Sequence, residues 1–424
     1  MTIKELILKG IPSYCTASQS VLRALLKRAA RNSQPVLVEA TANQINQYGG
    51  YTGMQPQEYR EMVLKMADQV SCPRNLLFFG GDHLGPLVWD QLPEQEAMSK
   101  ASELVRLFAA AGYSKLHLDT SMRLGDDPQD RPLTNAVIAR RGATLYAAAM
   151  KGYSQALKTD PKLPRPVFII GSEVPIPGGT QEQEDSISVT SPEALRNTLE
   201  AYRKAFSDAG FDQGLKDIIA VVVQPGVEFG SDELHVYNRS AAQKLTAEVR
   251  ELKGELVLEG HSTDYQPREA LREMMEDGIK ILKVGPALTF AYRDALFALS
   301  EIERILIPEH DRADLPQVLE QVMCSSPGNW QHHYSGTPDQ QLLLRRYSLS
   351  DRSRYYFSNR EVQLAEEKLF SNLEKVHIPL GLLHQFMPKQ FDEIIAGRLQ
   401  AEPRLLAEYA VDLVARDYEY ACSR

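Results

Sequence analysis

Cysteine is scarce in this sequence and long apolar runs are missing. The four cysteines, Cys15, Cys72, Cys324 and Cys422, lie far apart with no CxxC spacing. This excludes a disulfide framework and a zinc knuckle and suits a reducing compartment. No stretch of about 18 apolar residues occurs, so no membrane span is expected. The first residues, MTIKELILKGIP, carry charges before and within a short apolar run, which a secretory signal does not, and a cytoplasmic location is expected. Positive charge is not in excess: 47 basic residues are interleaved with 56 acidic ones, for a net charge of −9. No broad basic face is left to attract nucleic acid. A GxxxxGK phosphate loop and an HRD or DFG set are also absent, which excludes the common kinase machineries. Internal repeats and low-complexity segments are missing too.

What is present is a regular alternation. At 424 residues, 43% hydrophobic and 24% charged, the chain has the composition of a globular protein. It exceeds what one core usually organises, so a barrel with an appendage or two domains is expected. Eight short apolar, β-branched runs recur, at residues 12–15, 35–40, 76–83, 115–121, 166–174, 218–225, 255–262 and 281–287. Between them, segments such as 18–30, 56–70, 94–111, 192–209 and 268–277 show apolar residues at helical spacing. Runs such as VLVEA, IIAVVVQP and ILKVG are apolar on both alternating faces, as parallel strands buried on two sides require. Eight strands alternating with helices predict a (β/α)8 TIM barrel over residues 1–306. From 307 to 424 the beat stops and the pattern predicts an α-helical appendage.

Functional groups in such barrels gather where strands end and the following loops begin, and these strand ends are polar. Asp82 and His83 end the third strand, Glu173 the fifth, Gln224 the sixth and His261 the seventh. His83 and His261 with Glu173 and Gln224 form a candidate divalent-metal set, open to Zn2+, Mn2+, Co2+ or Ni2+. The ion would polarise a carbonyl and an adjacent hydroxyl. Asp82 is the candidate proton carrier, with Glu173 beside it as a second catalytic carboxylate. Lys283, Gly285 and Thr289 follow the eighth strand, where barrels often bind phosphate with backbone N–H groups. Glu39, Asn43, Gln44 and Tyr51 on the second rim, and Asp119 and Ser121 on the fourth, are candidate substrate contacts. Each residue has a structural alternative: a histidine capping backbone, a glutamate paired with an arginine, a Gly-Pro that only makes a turn. Their joint placement on rims favours function. In the appendage, the segment RRYSLSDRSRYY packs four arginines and three tyrosines together, read as an interface or structural cluster in preference to an anion site.

The strings EATANQINQYGGYTGM, GGDHLGP, KLHLDTSM, IGSEVPIPGG, VVQPGVEFG, EGHSTDYQ, ILKVGPALTFAYRDALF and YSLSDRSRYY closely resemble the Z-subunit family of tagatose-1,6-bisphosphate aldolase, nearly end to end. That family is similar to class II fructose-bisphosphate aldolases. The similarity implies that Asp82 and His83 match the catalytic aspartate and first metal histidine, Glu173 the metal-linked glutamate and His261 the last metal histidine. Gln224 or a residue near it takes the place of the middle histidine. The sequence departs from many aldolase Z subunits at Ala17-Ser18-Gln19 and at Leu87. The resemblance implies a ketose-phosphate substrate and one of two roles: a metal-dependent C4-epimerase converting tagatose 6-phosphate to fructose 6-phosphate, or a non-catalytic subunit that stabilises a Y-type aldolase partner. The set Asp82, His83, Glu173 and His261 tilts the sequence reading to the epimerase, since an accessory subunit has no physical need of it.

Overall fold

In the computed structural model, which describes residues 1–173, 187–251 and 256–423, eight parallel strands close into a barrel. They are β1 (Ile11–Cys15), β2 (Val36–Thr41), β3 (Leu77–Leu84), β4 (Lys115–Leu118), β5 (Val167–Ile170), β6 (Ile218–Val223), β9 (Val257–Gly260) and β10 (Ile279–Val284). The intervening β7 (Glu228–Phe229) and β8 (Leu234–His235) form an antiparallel hairpin after β6. β1 pairs with both β2 and β10, which closes the cylinder. The predicted barrel is therefore observed, with the fourth to eighth strands shorter than the expected runs. The fourth ends at Leu118 and the fifth at Ile170, because the residues beyond them leave the ladder to build the rim. Val174 and Glu255 lie outside the described residues.

Inward-facing residues fill the lower barrel: Ile11, Leu37, Val167, Ile169, Ile219, Val257 and Ile281 form one buried cluster with Ile3, Leu6 and Ile7. The last three belong to a helix, Ile3–Lys9, that plugs the N-terminal end of the barrel. It is fixed by a capping box in which Thr2 and Glu5 exchange hydrogen bonds. The charges in the opening sequence thus lie on the solvent side of a plug. The other core cluster lies between the strands and the outer helices and runs on into the C-terminal helices.

Those helices follow the last barrel helix, Pro286–Leu306, and end with Pro403–Cys422. The final helix is tied to the barrel helix Gln19–Asn32 by charge pairs, Arg28 to Asp412 at 2.9 Å and to Glu419 at 2.7 Å. It reaches the barrel mouth through Tyr418, whose hydroxyl donates to the Thr263 carbonyl at 2.7 Å. Among the described residues no helix is long and apolar enough to cross a membrane.

Candidate metal centre and cleft

The C-terminal mouth of the barrel opens into a cleft. At its base Asp82, His83, His117 and His261 converge, all four buried, with one potential ligand atom from each lying within 4.8 Å of the others. The local backbone explains the convergence. Between Gly81 and Leu84, β3 spends one residue more than β4 does between Leu116 and Leu118. This is a bulge, and His83 sits in it with φ of +46°. A non-glycine residue in the left-handed region is strained, and bulges beside active sites re-aim side chains. Here the bulge turns Asp82 and His83 together into the mouth, opposite His117 of β4.

Two of the imidazoles are oriented by carboxylates outside the group: His83 Nδ1 lies 2.9 Å from Asp119 and His261 Nε2 lies 2.8 Å from Glu259. His117 Nδ1 accepts from the His83 backbone N–H at 3.2 Å and lies 3.2 Å from Asp82 Oδ1. Protons on His83 Nδ1 and His261 Nε2 leave one nitrogen of each of these two rings free to bind a cation. This is the carboxylate–histidine arrangement that fixes ligand tautomers around metals. Among the described residues His117 Nε2 is buried with no hydrogen-bond partner, an orphaned polar atom of the kind that marks a site built to hold a further group. Burial, with the neighbouring His83, lowers His261 to about 4, so it is neutral at physiological pH, as a ligand must be. For His83 burial acts the same way, but Asp82 and Asp119 outweigh it and raise its value. The residues present therefore fit a divalent ion.

Below this cluster lies a buried charge network. Lys115, 0% exposed, bridges Glu39 and Glu259 at 2.7 Å each. Lys283 contacts Glu39 and lies 2.9 Å from Asp82. Burial pushes the Asp82 carboxyl up, but Lys283, His83 and His117 together hold it well below the usual range, so it is ionised. Room for the network comes from Gly80, where a Cβ would lie 2.3 Å from Glu39 Oε1.

The residues nominated from the sequence separate into groups. Asn43, Gln44, Tyr51, Asp82, His83, His261, Lys283 and Gly285 line the cleft. Glu39 lies beneath it, and Asp119 and Ser121 lie behind His83, the Ser121 hydroxyl donating to Asp119 at 2.7 Å. Thr289 faces away and donates to Asp351 at 2.6 Å. Glu173 is exposed and outside the metal-type group, its carboxylate accepting from Thr190 at 2.7 Å. Gln224 turns its side-chain oxygen to the N–H groups of Gly226 and Val227, at 2.8 and 3.0 Å, and so braces its own turn. The third imidazole of the cluster is His117, from β4. Its signal was in the sequence: His117 and Asp119 alternate at the end of a strand and so share a face.

The expected phosphate loop is already filled. Asp264 Oδ1 accepts from the Gly285 and Ala287 N–H groups at 3.0 and 2.8 Å. Burial raises the Asp264 carboxyl from 3.8 to about 6 despite those two donors. The folded state therefore holds this proton more tightly than the unfolded chain, and the stability it confers is lost as pH rises from about 4 through about 6. Asp264→Asn lacks that loss. Its stability relative to the parent protein is expected to rise by roughly 2–3 kcal/mol between pH 4 and pH 7, measured by denaturant unfolding at each pH.

Residues 3–423 match a family model described as D-tagatose-1,6-bisphosphate aldolase subunit GatZ/KbaZ-like. The chain is 42% identical over 414 residues, 98% of its own length and 96% of theirs, to proteins of Salmonella gallinarum and Salmonella enteritidis named D-tagatose-1,6-bisphosphate aldolase subunit GatZ. A crystal structure from Sinorhizobium meliloti, described as a probable tagatose 6 phosphate kinase, superposes with a TM-score of 0.88 at 42% identity, covering 98% of this chain and 100% of that one. With a match this complete, running from the barrel plug to the last helix, the chain belongs to the GatZ/KbaZ-like family of D-tagatose-1,6-bisphosphate aldolase subunits.

Proposed function

We propose that this chain acts in tagatose-type ketohexose-phosphate metabolism as the Z-type component of a tagatose-1,6-bisphosphate aldolase, partnered by a Y-type subunit, and that its barrel mouth binds a divalent metal and a ketose phosphate. Support for the role comes from the relatives, which carry that description over nearly their whole length. The metal reading rests on one observation above the rest: the convergence of the buried Asp82, His83, His117 and His261, one potential ligand atom of each lying within 4.8 Å of the others. The three imidazoles would hold the ion, which when bound supplies Lewis-acid polarisation of a ketose carbonyl and hydroxyl. Asp82 is kept ionised by Lys283, and its Oδ1 is engaged by Lys283 and His117. Its Oδ2, 4.0 Å from His83 Nε2, would carry a substrate proton. Gln44 and Tyr51 form one wall of the cleft and orient the sugar.

A second reading, a self-sufficient ketose-phosphate 4-epimerase, is favoured by one specific feature: every member of the cluster and its supporting lysines come from this single chain. One experiment separates the two. The isolated protein is incubated with D-tagatose 6-phosphate, divalent metal and a chelator control, and a Y-type aldolase subunit is assayed with and without it. Stimulation and co-purification of the Y-type subunit, with no turnover by the isolated chain, is the expected result. Chelator-sensitive formation of D-fructose 6-phosphate by the chain alone establishes the epimerase instead. Absence of both overturns the proposal.

A further inference from the structure

We infer that Arg354, carried by the C-terminal helical region, is the anchor for the substrate's phosphate, so that the helices after the barrel complete the binding site. This inference rests on the ketose-phosphate reading above and names the group that recognises the phosphate.

The argument starts from what the cleft offers an anion. The backbone N–H pair after β10 is taken by the Asp264 carboxylate, which repels a phosphate from that loop. Among the described residues two cations other than histidine line the cleft, Lys283 and Arg354, and Lys283 is committed to Glu39 and Asp82. Among the described residues Arg354 has no carboxylate within ion-pair distance. Its Nη1 donates to the backbone carbonyls of Ser350 and Asp351, the latter at 3.0 Å, and its Nη2 donates to the Tyr355 hydroxyl at 2.9 Å. Of the five N–H bonds of a guanidinium, Nε–H and one on Nη2 are left, on the edge that suits bidentate phosphate recognition.

The side chain is also built in. It sits on the short 3-10 turn Arg352–Tyr355, which follows Asp351 in the left-handed region at φ +42°. Asp351 is buried and receives Arg293 Nε at 2.8 Å, Thr289 Oγ1 at 2.6 Å and Ser353 Oγ at 2.7 Å. Arg293 and Thr289 belong to the last barrel helix, so this clamp fixes the turn to the barrel and carries Arg354 to the mouth. Tyr355 completes the approach, its ring meeting Tyr51 of the second rim edge-on at 4.9 Å. Arg345 and Arg352, by contrast, serve packing: Arg345 pairs with Glu320 at 2.5 Å and Arg352 bonds the Asn329 carbonyl.

The test is titration calorimetry of the full chain with D-tagatose 6-phosphate and with unphosphorylated D-tagatose, for the parent protein, Arg354→Met and Arg354→Lys. Arg354→Met is expected to bind the phosphorylated sugar roughly ten- to a hundredfold more weakly while its affinity for D-tagatose is unchanged, and Arg354→Lys is expected to recover part of the loss. An equal loss for both sugars, or no loss for either, overturns the anchor while leaving the ketose-phosphate reading in place. Failure of the parent protein to prefer D-tagatose 6-phosphate over D-tagatose overturns both.

Discussion

His117→Ala is expected to lower affinity for zinc or cobalt more than a hundredfold, since even the residues that orient metal ligands typically contribute ten- to a hundredfold. Competition with a chromophoric chelator measures this on the folded protein without any assay of turnover. The stability cost should be about 1–3 kcal/mol, because the removed ring strands the buried His83 N–H that donates to His117 Nδ1 at 3.2 Å, while Asp82 keeps Lys283 at 2.9 Å. The informative control is Gln224→Ala. Sequence similarity assigns the middle ligand to Gln224 or a residue near it, but its side-chain oxygen is held by two backbone N–H groups. Metal affinity is therefore expected to change little in that variant. A large loss at Gln224 with none at His117 would refute the cluster described here and restore a ligand set reaching toward β6.

Lys115→Met is expected to destabilise the fold by about 3–5 kcal/mol, the usual consequence of breaking a buried ion pair from one side. The lysine is wholly enclosed, and its removal leaves the facing oxygens of Glu39 and Glu259 in the barrel interior without their shared cation. Lys283 still faces Glu39 and His261 still faces Glu259, but neither replaces a charge placed between the two carboxylates. The effect should appear as a lowered midpoint in urea unfolding. The double variant Lys115→Met with Glu259→Gln should recover part of the loss, because one stranded charge is neutralised with it. Metal affinity should fall in Glu259→Gln as well, since Glu259 orients His261; unaltered affinity would show that the network serves the fold alone.

These two results bear on how much the sequence discloses. The alternation of β-branched runs with helical segments is a local property, set by side-chain shape and periodicity, and it was sufficient to predict eight barrel strands, helices around them and helices after them. The barrel in turn places functional groups at strand ends, which is why Asp82, His83, His261, Lys283, Asn43, Gln44 and Tyr51 were legible as candidates: a strand end has an address in the sequence. Family resemblance was legible for the same reason, since long strings at those ends survive as strings.

What the sequence by itself determined is the architecture and the pool of reactive residues at the rim. Tertiary structure alone decided which of them meet. A one-residue bulge in β3, invisible to periodicity, rotates His83 toward His117. Charge neutralisation inside a dry barrel draws Lys115, Glu39, Glu259 and Lys283 into one network from strands far apart in the chain. The same closure lets Asp264 fill the loop that composition reserved for phosphate, and the Arg293–Asp351 clamp swings Arg354 from the C-terminal helices over the mouth. Each of these depends on distances between segments separated by tens to hundreds of residues, and local side-chain pattern encodes direction along a strand or helix but not the partner across the gap.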